Sequence, residues 1–141
     1  MFFSPGGSGP EEIMAVAKEM DYFIVMAPFT PQTEKIVNAK VLSVMKPTAF
    51  LLNLARGELV DEEALIQALK SEKIAGAGLD AFCQEPLPKG HPFWGMKNVI
   101  VSPHIAGMSD IYVEQTLPIV EENLKRFLKG ERQNLLNLVE G

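Results

Sequence analysis

A chain of 141 residues with 47% apolar and 22% charged side chains has the size and apolar content of one globular domain with a single core. Its 18 acids outnumber 13 scattered basic residues, leaving a formal charge of −5, so it lacks the clustered Lys and Arg that a phosphate backbone requires and no nucleic acid is expected as a partner. One cysteine, Cys83, excludes an intramolecular disulfide and fits a reducing cytoplasm, while apolar stretches such as Tyr22 to Phe29 fall far short of the ~20 residues that cross a bilayer.

Residues 1–10, ending in Pro5-Gly6-Gly7-Ser8-Gly9-Pro10, have no basic n-region or sustained apolar run and read as a flexible leader. Glu11 to Met20 is helical in composition, with Pro10 tolerated in the first turn and two acids near the positive end. Tyr22-Phe23-Ile24-Val25-Met26 is a continuous β-branched and aromatic run, which predicts a strand covered on both faces and stopped by Pro28. Thr30-Pro31-Gln32-Thr33 offers cap chemistry for a helical segment through Val37, and Asn38 caps another through Lys46, ended by Pro47.

Ala49 to Asn53 reads as a second buried strand, the polar loop Ala55 to Glu58 follows, and Asp61 caps a helix over Glu62 to Lys70. Ala75 to Leu79 is small and apolar, suiting a tightly packed strand, and Asn98 to Ser102 reads as the next. Between them, Phe82 to Lys97 is long for a connection, which marks it as functional. A long amphipathic helix runs from about Asp110 to Leu128, bent at Pro118 and stopped by Gly130, and Gln133 to Val139 is a further apolar segment in need of a partner surface. The alternation of strand and helix predicts an α/β fold with a mostly parallel sheet.

In open parallel sheets, ligands bind beyond the carboxyl ends of the strands. Pro28, Arg56, Asp80 and His104 fall at such ends. Arg56 has two readings on local pattern: a surface charge or, with Gly57 turning the chain behind it, a guanidinium facing a crevice where its fork grips a carboxylate. His104, ahead of the small pair Ala106-Gly107, is either a solvated loop residue or an acid/base working near neutral pH. Glu85, in a proline-rich loop, is either solvated or the carboxylate that orients His104. His91, beside Phe93 and Trp94, is assigned a structural role. Two histidines and one cysteine in separate segments make no metal site, and Ser102 lacks the glycine-flanked elbow of a serine hydrolase.

A dinucleotide loop requires G-x-G-x-x-G between a strand and a helix. Gly7-Ser8-Gly9 reaches Glu12 where the third glycine belongs and follows no strand. Gly76-Ala77-Gly78-Leu79-Asp80-Ala81 meets the looser pattern but leads into a proline-rich loop rather than a helix. Neither is a phosphate cradle.

Four ordered segments nevertheless resemble the D-isomer-specific 2-hydroxyacid dehydrogenases, with the match running from about Asp21 to Val139. These are Ala27-Pro28-Phe29-Thr30-Pro31-Gln32-Thr33, Asn53-Leu54-Ala55-Arg56-Gly57-Glu58-Leu59-Val60-Asp61, Gly76 to Phe82 followed by Glu85-Pro86-Leu87-Pro88, and Ser102-Pro103-His104-Ile105-Ala106-Gly107. The resemblance implies a partial Rossmann-like NAD(P)-binding domain over residues 11–108, then a crossing helix and tail over residues 109–141. It implies that Arg56 binds a 2-oxoacid carboxylate, that His104 exchanges the proton as hydride moves, and that Glu85 keeps His104 oriented and protonated. Asp80 would bond the nicotinamide carboxamide, and Pro28, Thr33, Leu54, Ala55, Arg56, His104 and Gly107 would line NAD or NADP.

The family's glycine loop and most of its substrate domain have no counterpart in this sequence, which is therefore expected to be a truncated or partial oxidoreductase. Alone it should bind NAD weakly and reduce 2-oxo acids negligibly. It is expected to be a cytoplasmic homodimer or larger homo-oligomer, or to take up the missing N-terminal half in trans. The alternative is a non-enzymatic half-fold that associates with itself or another chain through its sheet edge and apolar tail.

Overall fold

A computed structural model describes residues 10–138, so residues 1–9 of the expected leader 1–10 and the end of the tail at residues 139–141 lie outside the described residues, while Pro10 begins the first helix instead of ending a leader. The chain divides into two compact units, one up to Ala106 and the other from Gly107.

The first unit contains strands β1 (Tyr22–Val25), β2 (Phe50–Asn53), β3 (Gly76–Leu79) and β4 (Val99–Val101), and helices α1 (Pro10–Glu19), α2 (Ala39–Val44) and α3 (Glu62–Lys70). All neighbouring strands are parallel and the sheet order is β1-β2-β3-β4. This is the mostly parallel, Rossmann-like α/β arrangement that the alternation of elements predicts. Each crossover advances the sheet in the same direction, and because such crossovers are right-handed, successive helices fall on the same face.

That face holds the core. Val25, Leu51, Ala77 and Leu79 point into it and meet Ile13, Ala17, Val41, Leu42, Leu65 and Leu69 from the helices. Each fully buried leucine contributes roughly 1.5–3 kcal/mol over its exposed state. Side chains alternate across a strand, so the other face carries Tyr22, Ile24, Phe50 and Ile100. This corrects the expectation that β1 is covered on both faces: Ile24 is 52% exposed and Ile100 77%. A continuous apolar run shows that a strand has two apolar faces; it does not show what covers them.

Gly76 and Gly78 have a specific use in β3. A Cβ on Gly76 would lie 2.9 Å from the Phe50 ring and one on Gly78 would lie 2.8 Å from Leu52 Cδ2, so the missing side chains make room for larger neighbours on β2. The Tyr22 and Phe50 rings stack at 5.7 Å across the β1–β2 pair.

The helical segment expected through Val37 is not formed. Residues 31–35 make a turn instead, and Lys35, at φ 48°, ends it in the left-handed region. Lys35 and Val37 then donate their N–H groups to Glu58 and Leu59, and Val37 forms a parallel bridge with Val60. Backbone pairing with a distant segment outweighs the local cap signal of Thr30. The other two caps act as expected: Asn38 accepts from Lys40 and Val41 at the start of α2, and Asp61 accepts from Ala64 at the start of α3.

The second unit is built on α4 (Tyr112–Leu128), which begins two residues later than Asp110 and contains Pro118. Gly130, at φ 81°, donates to Phe127 while Glu131 donates to Arg126, a Schellman closure that requires the left-handed conformation glycine tolerates. The tail folds back along this helix. Asn123 bonds both backbone groups of Leu136, Arg126 donates to the Asn134 carbonyl, and the Arg132 guanidinium sits 4.7 Å from the Phe127 ring centroid. Among the described residues, no helix is long and apolar enough to cross a membrane.

Candidate active site

The carboxyl ends of β1, β2, β3 and β4 deliver Pro28, Arg56, Asp80 and His104 to one edge of the sheet, and the backbone there is built by buried polar side chains. Asn53, the last residue of β2 and 1% exposed, donates from Nδ2 to the Arg56 carbonyl at 2.8 Å and accepts from Ala55 N–H at 3.2 Å. It bends the chain so that Arg56 leaves the strand end exposed. Thr33, equally out of solvent, donates to the Pro28 carbonyl at 2.8 Å and accepts from Thr30 N–H at 2.8 Å, fixing the turn after β1. Pro28, Leu54, Ala55 and Arg56, with Met26, Ala27 and Phe29, line a cleft of about 530 Å³ at the ends of β1 and β2.

Asp80 follows β3 and is 1% exposed. Its carboxylate accepts from Ser102 Oγ at 2.5 Å, Ile105 N–H at 2.9 Å and Ala106 N–H at 2.7 Å. Burial alone would raise its pKa; the Ser102 hydroxyl, the two amides and the nearby His104 outweigh it and hold the carboxyl below its ordinary value. Asp80 therefore organises the segment that presents His104. That segment is strained at His104 itself, whose φ of 54° costs of the order of 1–3 kcal/mol for a non-glycine residue.

The imidazole of His104 connects the other two candidates. Nδ1 lies 2.8 Å from Glu85 Oε2, and Nε2 lies 3.4 Å from an Arg56 terminal nitrogen, which also donates to the Ala55 carbonyl at 2.7 Å. Glu85 is anchored by accepting the Phe82 N–H at 2.9 Å through Oε1. The His104 hydrogen bond, then the Phe82 amide and the charges of His104 and Arg56, hold the Glu85 carboxyl below its ordinary value despite partial burial. With Glu85 ionised, Nδ1 carries the proton and Nε2 is the atom turned toward Arg56. Such an arrangement can grip a carboxylate with the guanidinium and pass a proton at Nε2 to an adjacent oxygen.

The sign of the Glu85 and Asp80 shifts fixes their effect on stability. Carboxylates held low in the folded state stabilise it above their ordinary values of 4.5 and 3.8, and lose that contribution as pH falls through the depressed folded values. The urea midpoint is therefore expected to fall as pH is lowered from about 5 to about 3, and Glu85→Gln should flatten part of that slope. Identical slopes in the two proteins would count against the Glu85–His104 contact.

Gly57 has a role that local pattern only hinted at. A Cβ there would stand 2.0 Å from the Phe82 carbonyl carbon and 2.2 Å from Cys83 N, so the arginine loop lies directly on the backbone that anchors Glu85. Gly57→Ala is expected to cost about 3 kcal/mol or more by forced backbone displacement, read as a lowered urea midpoint. Wild-type stability in that variant would contradict this packing. Gly107, the remaining predicted site residue, is an exposed turn residue at the start of the second unit, with nothing near its Cα that a side chain would strike. Among the described residues, no group of three metal-ligating side chains forms a candidate metal site.

A parallel α/β sheet whose strand ends gather an arginine, a carboxylate-bound histidine and a buried aspartate belongs to the Rossmann-like class, which binds ligands beyond the carboxyl ends of its strands. The comparisons specify the class. Residues 5–106 match the family described as D-isomer specific 2-hydroxyacid dehydrogenase, NAD binding domain, and the chain belongs to that family. It is 45% identical over 114 residues to a glyoxylate reductase from Thermococcus gammatolerans, covering 81% of this chain and 34% of that protein. A D-isomer specific 2-hydroxyacid dehydrogenase from Xanthobacter autotrophicus Py2, solved with NADPH and MES, superposes with TM-score 0.82 at 41% identity, covering 92% of this chain and 52% of that one. A Lactobacillus delbrueckii family member in its NAD-complexed form gives TM-score 0.76 at 33% identity, covering 89% of this chain and 44% of that one. The chain thus spans about a third of the glyoxylate reductase and about half of the NADPH-bound structure.

Proposed function

We propose that this chain supplies the catalytic half of an NAD(P)-dependent reductase of 2-oxo acids, active when joined to a glycine-loop half. The observation that carries the reading is the continuous contact from Glu85 through His104 to Arg56 at the carboxyl ends of the strands. Arg56 binds the substrate carboxylate and draws charge from its carbonyl. His104 holds a proton on Nε2 at the carbonyl oxygen, and Glu85 keeps the ring oriented; in the reverse direction His104 takes the hydroxyl proton. Glyoxylate-like 2-oxo acids fit because they offer both groups that Arg56 and His104 read.

The described residues fit the nicotinamide end of the cofactor. The cleft lined by Pro28, Leu54 and Ala55 adjoins Arg56, and Asp80 Oδ2 has one protein donor, leaving it an acceptor position for a carboxamide. Thr33 supports that wall from behind. The nicotinamide supplies the hydride, and the protein supplies orientation and electrostatics. Among the described residues no strand, glycine loop and helix stand together to receive a pyrophosphate, so the chain alone is expected to bind NADH weakly, and calorimetry showing micromolar affinity would contradict this. Fusing the chain behind the glycine-loop half of a glyoxylate reductase should restore glyoxylate-dependent oxidation of NADH. A fusion that binds NADH yet leaves glyoxylate untouched would overturn the reading.

A second reading, association without catalysis, is favoured by the exposed apolar face of Tyr22, Ile24, Phe50 and Ile100. It predicts a homodimer or larger assembly by light scattering, and a monomeric mass would remove it. The free Cys83 fits a cytoplasmic location for either reading.

A further inference from the structure

The loops that carry Arg56 and Glu85 meet twice. Their near ends touch where Gly57 lies against the Phe82–Cys83 backbone. Their far ends touch through side chains: Glu62, six residues past Arg56, meets His91, six residues past Glu85, with Oε1 to Nε2 at 3.1 Å. The His91 side chain is only 13% exposed and Glu62 30%, so this contact is more sheltered than an ordinary surface pair.

His91 is held on its remaining sides as well. Nδ1 accepts the Phe93 N–H at 3.4 Å, capping the short 3-10 turn Pro92–Gly95, and the imidazole lies 4.7 Å from the Phe93 ring. Its own N–H donates to the Pro88 carbonyl, which also accepts from Trp94 Nε1 at 2.9 Å. Two routes therefore lead from His91 back to Glu85. One runs through Pro88, three residues away along the loop. The other runs through buried Phe93, whose ring is 6.4 Å from that of Phe82, to the Phe82 N–H that Glu85 accepts.

We propose that the Glu62–His91 contact is a positioning staple for the candidate site, closing the far ends of the two loops so that Glu85 is held against His104 and in register with Arg56. The staple rests on the reading of Arg56, Glu85 and His104 as the working group. It assigns His91 a task beyond packing, although His91 touches none of the three. Glu62 stands in the first turn of α3, fixed by the Asp61 cap, so the loop bearing Glu85 is fastened to a rigid element. Without the staple, exposed residues 83–86 would be held by the Phe82 amide, the Gly57 contact and the Glu85–His104 contact itself.

The test uses the whole chain and needs no activity. His91→Asn keeps a capping side chain for the 3-10 turn but is too short to reach Glu62, and Glu62→Ala removes both the acceptor and the charge. Carbon-detected NMR titration follows the Glu85 carboxyl, and amide hydrogen exchange follows Phe82. Loss of the staple should raise the Glu85 midpoint by about 0.5 pH unit, roughly threefold in proton affinity, and speed Phe82 exchange roughly tenfold. The sign is diagnostic for Glu62→Ala: removing a negative charge lowers a neighbouring carboxyl midpoint by Coulomb effect alone, whereas losing the His104 contact raises it.

A Glu85 midpoint and Phe82 exchange rate unchanged from wild type, or a midpoint that falls, would overturn the staple. Should His91→Asn fail to fold, Glu62→Ala decides alone by the same two readouts. His104→Gln separates the two levels of inference. It should raise the Glu85 midpoint; if it does not, the Glu85–His104 contact fails and the catalytic reading with it, while Phe82 exchange in Glu62→Ala still decides whether the loops are stapled.

Discussion

His104→Asn, placed in a fusion that supplies the glycine-loop half, is expected to lower kcat for 2-oxo acid reduction by roughly 10²–10⁴-fold, the range for removing a positioned general acid. NADH affinity is expected to change far less, because the role proposed for an imidazole 2.8 Å from Glu85 and 3.4 Å from Arg56 is proton transfer. Stopped-flow absorbance of NADH separates the two quantities. Equal kcat in mutant and parent would remove His104 from the reaction. Arg56→Lys in the same fusion should raise KM for the 2-oxo acid, since a lysine cannot form the paired hydrogen bonds of a guanidinium with a carboxylate. The contrast between a kcat defect and a KM defect distinguishes the proton donor from the carboxylate clamp.

Asp80→Ala is expected to destabilise the chain by about 3–5 kcal/mol, a large fraction of the ~5–15 kcal/mol that holds a typical domain folded. The Ser102 hydroxyl and the Ile105 and Ala106 amides would all lose their acceptor at once. They sit beside a histidine already held at positive φ, so the strain at His104 would lose the contacts that sustain it. Chemical denaturation measures the total, and the amide resonances of Ile105 and Ala106 show where it falls. Asp80→Asn tests the charge separately: it keeps the volume but replaces one acceptor oxygen with a donor facing N–H groups. A loss below about 1 kcal/mol in Asp80→Ala would mean that the 102–106 segment is held by something else.

Much of the fold was legible because it depends on short-range rules. The caps at Asn38 and Asp61 were readable from residue type and position, and each strand was visible as a short apolar run. Gly130 ended α4 because a left-handed residue was required there. The misreadings share one cause. Thr30 to Val37 carried a local helical signal, yet Val37 pairs with Val60 across a gap in sequence that no local window spans. The run from Tyr22 to Val25 showed the right element but not its surroundings, since helix placement follows from the order in which strands join the sheet.

For the site, Arg56, Glu85 and His104 were each identified from the ordered motifs, and their meeting is a tertiary fact. Asn53 and Gly57 were the quieter residues. Asn53 looked like the end of a strand and is the buried amide that bends the arginine loop. Gly57 suggested a turn, but its lack of a side chain serves the close approach of Phe82 and Cys83. Glu62 was legible only as the first residue of the helix that Asp61 caps until the fold set it against His91.

By itself, then, the sequence determined the kinds of element, their order and the chemical identity of the groups at the strand ends, because these follow from local backbone preference and side-chain type. Only the tertiary structure decided that Asp80 is tied to the His104 segment, that one face of the sheet carries exposed apolar residues, and that the loops bearing Arg56 and Glu85 touch at both ends. Those outcomes depend on distances between residues remote in the chain, which parallel crossovers set and side-chain spacing along one segment does not encode.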